Sequence, residues 1–169
     1  TVYNGYATFD ETMRFLRDIA IALNLEEQAA TEEAKLRAAL DALRRRLEGR
    51  PLPTIATIRP FSDGTFYANS SPLLEALGVP GPRPTSAEMT VQYSEERLRD
   101  LEADYIVVYG TGGDSAEAAR QRMEASPVWR SLRAVVEGRV RYVEPVAWLN
   151  WNVPALYLGL ADIEAMLAD

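Results

Sequence analysis

Leucines at positions 36, 40, 43 and 47 recur in steps of four, three and four within a stretch otherwise made mostly of Glu, Lys, Arg and Ala. That stripe predicts one long amphipathic helix from about Leu25 to Glu48, ended by Gly49 and Pro51. At about 1.5 Å per residue it would be roughly 35 Å long, a domain diameter, so it either lies across a large domain or bridges two. Ahead of it, Thr8 and Glu11 have capping-box spacing and open a helix with Met13, Leu16, Ile19, Ala20 and Leu23 as its apolar positions. At the other end, Pro154 starts a helix striped by Leu156, Leu160, Ile163 and Leu167.

Between these helices the pattern changes. Thr54–Ile58, Tyr105–Tyr109 and Arg139–Val143 are short runs rich in β-branched and aromatic residues, and they predict buried strands. Asp63-Gly64 marks a turn, with a short hairpin around Phe66-Tyr67. Ser71 and Pro72 start a helix that stops at Gly78, and the proline-rich Val79–Thr85 is a loop. Ser94-Glu95-Glu96 begins a short helix carrying Leu98 and Leu101, and Ser115 caps one running to about Ala125. Ser126-Pro127 then caps a helix containing Trp129 and Leu132, and Val146–Trp151 follows the last strand as an aromatic loop. Strands separated by helices predict an α/β fold: a three-layer α/β/α sandwich with a short, mainly parallel sheet, preceded by the long helix.

Composition narrows the function. The chain has 169 residues, no cysteine, no histidine and a formal net charge of −7. Without those two side chains there is no thiolate nucleophile, no imidazole base and no Cys or His metal ligand, which excludes a hydrolase, zinc enzyme or heme-ligating protein built on them. The acidic balance argues against a nucleic-acid partner and a polybasic membrane anchor. No apolar run reaches the roughly 18 residues of a membrane span.

In such a sheet, ligands gather beyond the carboxyl ends of the strands. The loops there are Arg59–Tyr67, Tyr109–Asp114 and Val146–Trp151, and they and their surroundings carry Arg59, Phe61, Tyr67, Tyr93, Tyr109, Trp148 and Trp151. Such residues suit a large, flat, polar ligand, since Arg pairs with anionic oxygens and aromatic rings offer broad faces. Equally, Trp148 and Tyr67 can be rim packing and Arg59 a solvated charge. Gly110-Thr111-Gly112-Gly113 sits between a strand and a helix but lacks the lysine of a phosphate loop, so it reads better as a sharp turn. Asp100, Glu102 and Asp104 precede a strand, the wrong edge for a metal pocket. Trp129 reads as a core anchor and Arg44-Arg45-Arg46 as a wet helix face.

The order of segments carries a resemblance. Glu26–Ala29, Thr54–Arg59, Tyr67, Leu73–Val79, Ser94–Leu98, Ala103–Val108 and the block from Ser126 through Gly138–Val143 to Trp148 follow one another as in the helical-backbone substrate-binding proteins of ABC importers. The chain resembles most closely the ferric-siderophore binders of that group. The resemblance implies two lobes clamped around a ligand, of which only the C-terminal one is present here. Residues 1–24 would be a remnant of the missing N-terminal lobe, 25–49 the inter-lobe backbone helix and 50–169 the C-terminal α/β lobe.

The resemblance also implies roles. Arg59, Tyr67 and Trp148 match ligand-facing positions, and Tyr109 and Trp151 complete the expected binding set. Asn150 and Trp151 depart from relatives, which often have charged or small residues there. Family members dock onto the ABC permease through a surface Glu on each lobe, and several acids here, Glu117 among them, could serve. The implied function is not enzymatic: a ferric siderophore is captured outside the cytoplasmic membrane, in the periplasm or on a lipid-anchored protein, and delivered to the permease. Iron would be held by the siderophore, with no cofactor bound covalently or by side chains. Alternatives are a cobalamin or heme carrier of the same kind, a small α/β nucleotide-dependent enzyme using the glycine turn, and a stand-alone interaction domain. A lobe without its partner is expected to self-associate.

Overall fold

A computed structural model describes residues 8–69, 71–81, 92–101, 103–110, 115–149 and 152–167. Five strands form one sheet: Ile55–Pro60 (β1), Thr65–Asn69 (β2), Gln92–Ser94 (β3), Tyr105–Tyr109 (β4) and Val140–Val143 (β5), in the order β3-β2-β1-β4-β5. β1, β4 and β5 are parallel, with Ile58 opposite Val108 and Val108 opposite Tyr142. β2 runs against β1 and β3 against β2, so after two reversals β3 points the same way as β1.

Alternation along the two central strands divides the core. Ile55, Val107 and Tyr109 join one apolar cluster, while Ala56, Ile58, Ile106 and Val108 join another. Successive side chains of a strand point to opposite faces, and both faces are covered, so the strands read as continuous apolar runs.

One face is covered by Phe9–Leu23 (α1), Glu26–Leu47 (α2), Pro72–Ala76 (α3), Pro145–Leu149 (α7) and Val153–Leu167 (α8), through Met13, Leu40, Leu74, Trp148 and Ile163 among others. The other is covered by Ala116–Glu124 (α4), Pro127–Arg130 (α5), Arg133–Val136 (α6) and a 3₁₀ turn at Glu95–Asp100, through Met123, Trp129, Ala134 and Leu98. This is the expected three-layer sandwich with a mainly parallel sheet.

The long helix is one element, and its Leu36, Leu40, Leu43 and Leu47 stripe is buried on the sheet beside Ile55 and Val107. Ahead of Leu36, Ala29 is the one buried residue of α2. Phe9 and Met13 of α1 enter the same cluster, so the first helix packs onto this layer.

Local chemistry sets most boundaries as expected. The Thr8 hydroxyl accepts from the Glu11 N–H while the Glu11 carboxylate accepts from the Thr8 N–H. Ser71, Ser115 and Ser126 each accept from the N–H three residues on. Asn24 ends α1 with φ of 55°, a left-handed conformation that Asn tolerates. Gly64, with φ of 83°, turns β1 into β2, and Asp63 Oδ1 accepts from the Thr65 N–H at 2.9 Å.

Three elements differ from expectation. The segment around Trp129 is two short helices, because Leu132 is extended (ψ 140°) between α5 and α6. Val146–Trp151 is not wholly loop, since α7 begins at Pro145 and runs to Leu149. β3 has three residues, too few to show alternation, and its pairing with β2 defines it.

Candidate functional site

Arg59 lies at the carboxyl end of β1, directly opposite Tyr67 of β2. The hairpin brings Phe61 back over the same spot, its N–H donating to the Thr65 carbonyl at 2.8 Å. The guanidinium carbon of Arg59 is therefore 4.8 Å from the Tyr67 ring centroid and 5.1 Å from that of Phe61. The two rings meet edge to face, 5.0 Å apart at 87°. Both rings lie within cation–π distance of the guanidinium, a contact worth about 0.5–2 kcal/mol depending on desolvation.

The stack holds the guanidinium in place but does not satisfy it. Arg59 Nε is buried and has no hydrogen-bond partner among the described residues. A buried donor left unmet costs about 1–3 kcal/mol, which the ring contacts offset in part.

Tyr109 sits beside Arg59 at the end of β4. Its ring belongs to the core and is 6% exposed. Burial pushes its phenol pKa up, against the Arg59 charge and a hydrogen bond with Thr57, both of which favour the phenolate. Tyr109 thus supports the site from beneath with its ring covered.

Trp148 is placed differently from expectation. Its ring is 4% exposed, in the same cluster as Leu156 and Ile163, and its indole N–H donates to Asp162 Oδ2 at 2.8 Å. The short helix α7 turns the side chain inward, so it braces α8 and does not line an open surface. Trp151 lies outside the described residues, as do residues 111–114 of the glycine turn.

Glu117 is exposed on α4, which packs against the opposite face of the sheet. It accepts from Arg120 Nε at 2.8 Å and from Gln121 Nε2 at 2.8 Å, and these bonds hold its pKa down to about 2. It stays ionised throughout the physiological range. Tyr93 also belongs to that face, stacked on Phe66 at 5.7 Å and on Arg97 at 5.6 Å, and does not join Arg59.

The structure therefore brings together Arg59, Phe61, Tyr67 and Tyr109, and adds Thr57. Phe61 is legible in the sequence through its spacing of two from Arg59, which puts both on one face of an extended chain. Thr57 has the same spacing on the other side but carries no distinguishing signal. Among the described residues there is no group of three or more Asp or Glu that could hold a metal ion, and no helix is long and apolar enough to cross a membrane.

No protein-family model matches the chain and no curated protein does. Solved structures do match it in fold. An ABC-type Fe3+-hydroxamate transport system protein from Saccharomonospora viridis DSM 43017 superposes with a TM-score of 0.82 at 19% identity, over 97% of this chain and 57% of that one. An ABC transporter substrate-binding protein from Listeria monocytogenes EGD-e gives 0.75 at 16%, over 96% and 65%. The heme complex of Staphylococcus aureus IsdE gives 0.76 at 13%, over 97% and 66%. The chain spans less than two thirds of the first of these relatives' lengths as well as of the others. Nearly all of it has the α/β fold found in ABC-transporter substrate-binding proteins, and its resemblance to them is structural.

Proposed function

We propose that this chain is the C-terminal lobe and backbone helix of a bilobal substrate-binding protein, and that the whole protein captures a ferric siderophore and hands it to an ABC permease outside the cytoplasmic membrane. The observation that carries the reading is Arg59, stacked on Phe61 and Tyr67 at the carboxyl ends of the strands. Siderophore–iron complexes present negatively charged or strongly polarised oxygens around a bulky, partly aromatic or aliphatic body. A guanidinium flanked by two rings meets both features at once. The fold supports the same reading, because the matched structures include a Fe3+-hydroxamate transport protein.

In this reading Arg59 and Tyr67 contact the ligand with Phe61, Tyr109 backs them, and Trp151 contributes on its sequence position alone. Glu117, ionised and exposed, is the permease contact. The protein makes and breaks no bond.

A second reading, a heme carrier, is favoured by the match to a heme complex. The chain has neither His nor Cys, so an iron ligand from this lobe would have to be Tyr or Met. Titrating the two-lobed protein with a ferric hydroxamate, a ferric catecholate and heme, by quenching of tryptophan fluorescence, separates the readings. Tight binding of a ferric siderophore that weakens with Arg59→Ala is expected. Saturable binding of heme alone would replace the siderophore reading, and binding of none of the three would remove both.

A further inference from the structure

A cavity of about 520 Å³ lies at the amino end of β4, between the 3₁₀ turn and α6. Its floor is Ala103, Ile106, Leu132 and Ala134, all buried and apolar, and the exposed Arg99 and Arg133 stand at its rim. Among the described residues no carboxylate lines it. By contrast, the cavity beside α1 has Asp10, Asp41 and Glu75, and the one beside Leu47 has Asp104. In a chain with a formal net charge of −7, a cavity whose charged lining is arginine alone selects for anions.

The two guanidiniums differ in what they have left to give. Arg133 donates to Asp104 Oδ1 at 2.6 Å, and Asp104 is itself held by the Thr54 N–H at 2.8 Å. That bond fixes the Arg133 head and balances its charge, while a guanidinium keeps further N–H donors beyond it. Arg99 makes no hydrogen bond or ion pair with any described residue, so the uncompensated charge of the rim is its own. A covered apolar floor under one free cation suits a ligand with an apolar body and a single negative head.

We propose that this cavity is a second ligand site, for a small amphiphilic carboxylate whose tail lies on Ala103, Ile106, Leu132 and Ala134 and whose head meets Arg99 and Arg133. Charge complementarity selects that occupant. One free cation matches a monoanion better than a phosphate dianion, and a neutral amphiphile would leave Arg99 without a partner. The site is remote from Arg59. β1 and β4 are parallel, and Ile106 pairs with Ala56 near their amino ends, whereas Arg59 is at the carboxyl end of β1. The inference therefore stands apart from the siderophore reading and does not depend on it.

Octanoate is the probe, titrated into the isotope-labelled 169-residue chain and followed by NMR at the amides of Ala103, Ile106 and Ala134. Saturable shifts there are expected. Acetate, which lacks the tail, should bind at least about tenfold more weakly because it leaves the apolar floor wet. Octanol, which lacks the charge, should bind roughly fivefold or more weakly, and octanoate should lose as much in Arg99→Glu. Arg99 is exposed and makes no bond with a described residue, so that variant should fold, and Arg99→Lys should recover most of the binding. The acetate and octanol comparisons use the unsubstituted chain and decide the matter even if a variant fails to fold. No shift at the three amides, equal binding of octanol and octanoate, or full binding by folded Arg99→Glu would overturn the proposal. Tighter binding of octyl phosphate than of octanoate would reject the carboxylate. Shifts no larger at the three amides than at Ile21 and Leu158, which are exposed elsewhere, would mean non-specific adsorption and overturn it too.

Discussion

Asp104 and Thr54 clasp each other at the start of the two central strands. The Asp104 carboxylate accepts from the Thr54 N–H at 2.8 Å, and the Thr54 carbonyl accepts from the Asp104 N–H at 2.8 Å. The second carboxylate oxygen accepts from Arg133 at 2.6 Å, so one side chain ties β1, β4 and α6 together. These strands carry the site at their far ends, and the clasp helps set their register.

The Thr54 N–H, and after it Arg133, hold the Asp104 pKa below its ordinary value. A depressed folded pKa means that the carboxylate's contribution is fully present above about pH 3.9 and is lost as pH falls through the folded pKa. Asp104→Ala should destabilise by about 1–3 kcal/mol at pH 7 and lower Tm by about 3–10 °C. The difference between variant and parent should shrink on acidification below pH 4. Thermal melts across pH 3–7 measure both, and a constant difference would contradict the assigned cause.

Arg59→Met should separate binding from stability. Methionine keeps contact with Phe61 and Tyr67 while removing the unmet Nε, so the melting temperature should hardly change. Affinity of the two-lobed protein for an anionic ferric complex should fall by roughly ten- to a hundredfold, the effect of losing a charge-assisted hydrogen bond. Titration and melting of the same variant check the pair of outcomes.

Trp129 and Trp148 should both report on stability. Trp129 is wholly buried, with its indole N–H donating to the Tyr142 hydroxyl at 3.2 Å, and Trp129→Ala should cost about 3–5 kcal/mol. Trp148→Phe leaves Asp162 Oδ2 without its donor and should cost about 1–3 kcal/mol, with ligand affinity changed little. The sequence-based expectation was that Trp148 acts with Arg59 on the ligand. Denaturant melts alongside ligand titration distinguish the two roles.

Glu117→Gln should leave folding and ligand affinity unchanged, because the carboxylate is on the surface and, among the described residues, bonds within its own helix. Delivery should suffer instead. Uptake by a reconstituted importer should fall for this variant, and undiminished uptake would remove Glu117 from the docking role.

What the sequence determined by itself lies within a few residues of its cause. Caps at Thr8, Ser71, Ser115 and Ser126, the Asp63-Gly64 turn, and the stripes of α2 and α8 follow from short-range bonding and periodicity. The apolar runs of β1 and β4 foretold strands buried on both faces, and Arg59 could be placed at a strand end. Tertiary structure decided everything that depends on a distant neighbour. β3 is a strand because β2 pairs with it. Trp148 points inward because α7 turns it against α8 and Asp162 awaits its N–H. The rings around Arg59 meet it only because the hairpin register sets Tyr67 opposite and folds Phe61 back. An aromatic residue in a loop reads the same in sequence whether it faces a ligand or a core, since the difference lies in what packs against it across the fold.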